Sequence, residues 1–215
     1  LSLIILLVSY ILWSSYSSNL DKARQSTVFV ANLVAAQTEA SLKGLEIILS
    51  GVQREMQFSL LDMDKKLSDE VGDYLRDVKQ SNLHLMDLLV LDSTGQITQW
   101  TGKGVPPDVS DRTYAQWHID NPASEFYLGE PLLSKVHQGR WFFALSMAIR
   151  DDQQRLQKIL VAIVDIEHFR VQLEDIELPP DSSLGLMSRE RHVITRLPGH
   201  SKFVGVKLTG LNVNR

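Results

Sequence analysis

Five residues between positions 112 and 165 have side chains suited to holding a small polar molecule. Arg112 lies in Asp-Arg-Thr-Tyr-Ala-Gln-Trp-His (111–118). Its guanidinium is a planar fork of donors that matches a carboxylate, though the same fork could pair with Asp108 or Asp111 and lock a loop. Tyr114 and Trp117 are three apart, hence on one face of a short helix. There they either wall a pocket or pack on a sheet. Trp141 opens a strand in Gly-Arg-Trp (139–141), as pocket wall or core. Asp165 ends the apolar run Val-Ala-Ile-Val-Asp-Ile (161–166), where a carboxylate caps the helix that follows. His118 and Asp120 are of metal-ligand type, but no third ligand is spaced to complete a site. No metal or other cofactor is expected, and a capped or solvated histidine accounts for His118.

The elements that must carry these residues are legible in the periodicity. Residues 17–80 read as helix. Val30, Leu33, Val34, Leu45, Ile48 and Val52 recur at three-and-four spacing, the mark of one apolar helical face. A second amphipathic part carries Leu60, Leu61, Met63, Leu67, Val71, Leu75 and Val78, with a charged face opposite. Leu88 to Leu91 is an apolar strand, Asp92-Ser93-Thr94-Gly95 a tight turn, and Ile97 to Thr101 a second strand. Asp111 to Ile119 reads as a short helix with Ser110 or Asp111 as N-cap. Phe126 to Ser134, Arg140 to Ile149 and Ile159 to Val164 read as strands, and Ile166 to Asp175 as a helix. Leu178-Pro179-Pro180-Asp181 marks a boundary. Leu184 to Met187 and Val193 to Arg196 then repeat, weakly, the strand–turn–strand spacing of Leu88 to Trp100. A long helix followed by an antiparallel sheet with a helix against it is an α+β arrangement, here with the start of a second, smaller domain of the same kind.

Composition narrows the function. The net charge of -4 argues against a broad phosphate-binding surface, so no nucleic-acid partner is expected. The chain has no cysteine, which removes disulfides and thiolate chemistry. No Gly-x-Ser-x-Gly, phosphate loop or His-Glu-x-x-His occurs, and the remaining histidines are scattered. Catalysis within this stretch is not expected. Leu1 to Trp13 is apolar apart from Ser2, Ser9 and Tyr10. It reads as the end of a transmembrane helix, with Trp13 and Tyr16 at the interface and Ser17 onward outside the cytoplasm; a signal-peptide core is the other reading.

With these pieces in place, the sequence resembles the double Cache, or PDC-like, sensor domains of bacterial membrane receptors, most of all those attached to GGDEF diguanylate cyclases. The resemblance covers roughly residues 17–200. It rests on Val-Leu-Asp-Ser-Thr-Gly (90–95), Val-Ser-Asp-Arg-Thr-Tyr (109–114), His118, Gly-Glu-Pro-Leu-Leu-Ser (129–134), Gly-Arg-Trp, Val-Ala-Ile-Val-Asp-Ile and Phe169. It implies a PAS-like antiparallel sheet behind the long helix. Residues 17–80 and 81–177 would form a membrane-distal sensor domain, and residues 178–215 the start of a membrane-proximal one. It further implies a bacterial inner-membrane protein with this region in the periplasm or outside the cell, and a cytoplasmic output: a diguanylate cyclase, with histidine kinase or chemoreceptor as alternatives. In such domains the residue matching Asp165 often holds a ligand amino group. The expected pocket therefore brings together Arg112, Tyr114 and Asp165, flanked by Trp117 and Trp141, and would take an amino acid or an organic acid. Two departures keep the ligand class from carrying over: Ala115 stands where an aromatic is common, and Ser146-Met147-Ala148-Ile149 lacks an arginine of the family. A homodimer is expected through the apolar helix face. The competing reading is a structural ectodomain whose long helix only dimerises.

Overall fold

The computed structural model describes residues 2–60, 66–179 and 182–209. Leu1, the segment 61–65 of the long helical stretch, Pro180 and Asp181 of the boundary, and residues 210–215 lie outside it. Helix α1 runs over Ser2–Leu60 and α2 over Lys66–Gln80. The chain divides into two compact units, residues 1–43 and 44–215. The first is helical throughout its described part and keeps large apolar side chains exposed, among them Trp13, Phe29 and Leu33. No helix among the described residues is long and apolar enough to cross a membrane.

In the second unit the end of α1 buries Leu45, Leu49, Val52 and Met56, a strict three-and-four stripe. Leu49 and Met56 belong to it, whereas Ile48 is only half-buried. Eight strands follow: β1 (Leu85–Asp92), β2 (Ile97–Trp100), β3 (Phe126–Leu128), β4 (Leu132–Leu133), β5 (Trp141–Arg150), β6 (Leu156–Asp165), β7 (Leu184–Met187) and β8 (Val193–Leu197). The first six form one antiparallel sheet in the order β2-β1-β6-β5-β3, with β4 also on β5. Strands β1, β5 and β6 are buried on both faces, which is why they read as continuous apolar runs instead of alternating ones. Helix α2 packs on β1 and β2, while α3 (Thr113–Asp120) packs on β3, β5 and β6. Each fully buried Leu, Ile or Val in this core contributes on the order of 2 kcal/mol.

Two irregularities set the site. The register of β1 on β6 shifts between Leu85 and Asp87, where Leu85 faces Val164 and Asp87 faces Ile163. This extra residue is a bulge; beyond it the ladder is regular, and strand alternation puts Asp87 on the same face as Leu89 and Leu91. The expected strand 126–134 breaks at Gly129-Glu130-Pro131, leaving two short pieces on β5. Proline cannot donate to the ladder, so pairing lapses after the Gly129 N–H, which still donates to the Ala144 carbonyl at 2.8 Å. After α4 (Ile166–Glu174) the chain forms the β7–β8 hairpin, a separate two-stranded sheet, and α5 (His200–Phe203). The hairpin packs on α4 through β8.

Candidate functional site

One face of the large sheet, under α3, holds a cluster of Leu89, Val109, Tyr114, Phe142 and Ile163 with Trp100 at its edge. The cluster does not close completely. It leaves a cavity of about 40 Å³, bounded on its polar side by Asp87, Arg112, Tyr114 and the segment Ser134–His137. The charged groups of the lining, Asp87, Arg112 and Lys135 with His137, all lie on this polar side, opposite an apolar wall.

Arg112 is the N-cap of α3, in extended conformation, with no side-chain cap bond; neither Ser110 nor Asp111 takes that role. Asp108 instead accepts from the backbone N–H and hydroxyl of Ser110. The Arg112 side chain is 15 % exposed, and its ion partner, Asp111, is 3.9 Å away and itself held by Lys135 at 2.8 Å. One Nη donates a long bond of 3.4 Å to the Leu133 carbonyl. Most of the guanidinium fork is thus unused. Tyr114 is 2 % exposed, and no protein group among the described residues accepts from or donates to its hydroxyl. Burial pushes its pKa well above the ordinary tyrosine value, with the Arg112 charge pulling weakly the other way. The phenol is a neutral donor at any ordinary pH.

Asp87 contrasts with these two. Its carboxylate accepts from Lys79 Nζ at 2.7 Å, Thr101 Oγ1 at 3.1 Å and His137 Nε2 at 2.7 Å. Lys79 comes from α2, Thr101 from the end of β2 and His137 from the β4–β5 connection. Three elements thus converge on one buried charge, as burial of a charge demands. Lys135 bridges the Asp108 carbonyl and Asp111, both at 2.8 Å. Together, Lys135 and His137 tie the strap 134–137 across the cavity.

The other expected pocket residues stand elsewhere. Trp117 is 39 % exposed, stacks on Tyr127 with centroids 4.6 Å apart, and donates to Ser124 Oγ. Trp141 begins β5 and lies against Gly205, whose backbone has φ +76°; a side chain at 205 would collide with the indole. Asp165 pairs with Phe142 in the ladder, so it shares the cavity face of the sheet, but it does not line the cavity. It accepts the Glu167 N–H as the cap of α4 and is bonded to Arg140. The expected convergence of Arg112, Tyr114 and Asp165 is therefore corrected: two of the three meet, and helix capping takes the third. His118 is buried and hydrogen-bonded to Ser146 Oγ at 2.9 Å. Burial holds its pKa down, against hydrogen bonds at Ser124 and Ser146. No cluster of metal-ligating groups occurs among the described residues.

Asp87, Lys135 and His137 escaped the sequence reading. The available signal was a lone Asp inside the apolar run Leu85-Met86-Asp87-Leu88, where a buried charge requires a cation that the sequence alone does not locate.

No protein-family model and no curated protein matches this chain. Solved structures do. The extracellular domain of rpHK1S-Z16, described as a histidine kinase, superposes with a TM-score of 0.69 at 23 % identity over 82 % of this chain and 72 % of that one. The ligand-binding domain of the Pseudomonas aeruginosa PAO1 amino-acid chemoreceptor PctC, in complex with GABA, gives 0.63 at 18 % identity over 82 % and 76 %. A domain of a Vibrio parahaemolyticus protein described as of the sensory box/GGDEF family gives 0.60 at 15 % identity over 80 % and 71 %. The chain thus has the α+β, Cache-like fold that these extracellular and ligand-binding domains share, with its long N-terminal helix and antiparallel sheet.

Proposed function

We propose that this chain is the extracytoplasmic sensor region of a membrane-bound bacterial signalling protein, and that it recognises a small carboxylate-bearing molecule in the cavity beneath α3. The observation that carries the reading is the pair of unused donors: the Arg112 guanidinium, short of a close carboxylate, and the Tyr114 hydroxyl, with no protein partner among the described residues, on one partly open and largely apolar cavity. Donors that no protein group takes up closely are available to a ligand, and an acid can pair with both. The likeness to amino-acid-binding chemoreceptor domains supports a small-molecule ligand. Trp117, Trp141 and Asp165 then support the fold around the site.

The exposed aromatic side chains Tyr10, Trp13 and Tyr16 support a membrane-interface position for the first turns of α1, with the sensor body in the periplasm. The exposed Phe29, Leu33 and Ile47 support a homodimer formed through α1. The output is a cytoplasmic diguanylate cyclase in this reading, with kinase and chemoreceptor outputs as the alternatives that the structural likenesses equally support.

A thermal-shift screen of the chain against short organic acids and amino acids tests the core of the proposal, since a ligand that binds only the folded state raises its stability. At least one carboxylate raises the melting temperature, and Arg112→Ala removes that shift. If no carboxylate shifts a cooperatively unfolding chain, the sensing assignment is wrong. A reporter fused after residue 50 reports as periplasmic, and sedimentation of the intact membrane protein shows a dimer.

A further inference from the structure

We infer that the ligand is a short monocarboxylic acid without an amino group. The inference rests on the sensing reading above and narrows it from the charge balance of the cavity. On the donor side, Arg112 and Tyr114 are free for an anion. On the acceptor side almost nothing is left. Asp87 is the one carboxylate in the lining, and Lys79, Thr101 and His137 already occupy it. Ser134 Oγ accepts the N–H groups of Val136 and His137. Asp165 lies outside the lining and is taken by Arg140 and the α4 N-terminus. The other charged groups of the lining, Lys135 and His137, are cations or potential cations.

An ammonium carries three donors and no acceptor. Within this cavity it would find no carboxylate free of a protein cation, would face Arg112 and Lys135, and would lose part of its water beside Leu89, Phe142 and Ile163. A desolvated charge without a partner is strongly disfavoured. The same apolar wall suits a short hydrocarbon tail. Size agrees in direction: a partly open cavity of about 40 Å³ is small and favours a short tail over a branched one.

Propionate and L-alanine differ at the α-carbon by the ammonium group alone, so calorimetric titration of the full chain with each is the test. The expected result is propionate binding, with alanine at least about tenfold weaker, and propionate binding lost in Arg112→Ala and weakened in Tyr114→Phe. Alanine binding as tightly as propionate, in an Arg112-dependent manner, would overturn this inference and leave carboxylate sensing intact. Binding of neither would overturn this inference, while the sensing reading would fall only if the wider carboxylate screen also failed. Propionate affinity unchanged in both variants would place the acid outside this cavity and equally overturn both. Tyr114→Phe keeps the test decisive should Arg112→Ala fail to fold, because it deletes one oxygen and no packing.

Discussion

Tyr114→Phe should move fold stability and ligand affinity in opposite directions. The side chain is 2 % exposed, and its ring belongs to the core that phenylalanine would fill identically. Only the hydroxyl is lost. A buried hydroxyl with a protein partner contributes about 1 kcal/mol, while an unpartnered one costs desolvation that its removal recovers. Since no protein partner is present, the variant without ligand should be as stable as the parent or better by up to about 1 kcal/mol. For a domain of this length that is a rise of zero to about 4 °C in melting temperature. In the ligand-bound state the hydroxyl donates to a carboxylate, a charge-assisted bond worth about 1.5–3 kcal/mol, so affinity for propionate should fall by about ten- to a hundredfold. Thermal unfolding of both proteins across a propionate series reads both quantities in one experiment. A melting temperature lowered by more than about 4 °C without ligand, or an unchanged propionate affinity, would refute the reasoning that the hydroxyl is held in reserve.

Other expectations follow from neighbouring geometry. Asp165→Ala should lose a helix cap, about 1 kcal/mol, seen as a melting temperature lower by a few degrees, with propionate affinity unchanged within about twofold; a large affinity loss at constant stability would return Asp165 to the site. Gly205→Ala forces a left-handed backbone on alanine and places its Cβ 2.3 Å from Trp141 Cη2, so it should destabilise by about 2–4 kcal/mol in thermal unfolding followed by tryptophan fluorescence. At alkaline pH the folded Tyr114 keeps a proton that the unfolded chain releases from the ordinary value of 10.0 upward. The folded state then binds more protons, stability falls as pH rises, at most by about 1.4 kcal/mol per pH unit, and Tyr114→Phe should remove that part of the slope. At the acid end, burial lowers the pKa of His118 below 6.5. The unfolded chain takes up the proton first, so this contribution is full above pH 6.5 and is lost as pH falls through the folded value. The stability difference between the parent and His118→Gln should shrink over that window in urea unfolding.

Most of the architecture could be read from local pattern. The runs at 88–91, 97–101, 140–149 and 159–164 had only one element type open to them, because apolar β-rich segments bounded by turns leave little choice. That Arg112 and Tyr114 share one cavity wall follows for a similar reason: two side chains at the start of one short helix stay together however the helix packs. The partners of the site were not legible. Asp87 and His137 are separated by fifty positions, and although alternation puts Asp87 on the face of Leu89 and Leu91, nothing in the sequence says which distant cations would meet it there. Trp117 and Trp141 were misplaced because an aromatic at an element's edge fits a pocket wall and a surface seam equally well. Tyr127 and Gly205 decided those two positions. Asp165 had a capping role available one bond away, and a local hydrogen bond won over a distant ligand.

The stretch from Glu130 to Trp141 touches both lobes of the second unit. Its middle, Ser134–His137, straps the cavity. Its ends meet the β7–β8 hairpin side, through Glu130 Oε2, 2.7 Å from His192 Nδ1, and through Trp141 against Gly205. Burial and the neighbouring Glu190 hold the Glu130 carboxyl above its usual range, so that contact is polar and adjustable where the indole contact is stiff. Inheritance of the two features is therefore linked. A one-residue insertion or deletion within 134–140 changes the cavity wall and the grip on the hairpin in a single event, and a lineage cannot retune what the cavity accepts by altering the length of this stretch without also altering what the hairpin feels. Point substitutions on the cavity wall, such as at Leu89 or Ile163, escape that coupling, and they are where ligand preference is free to drift.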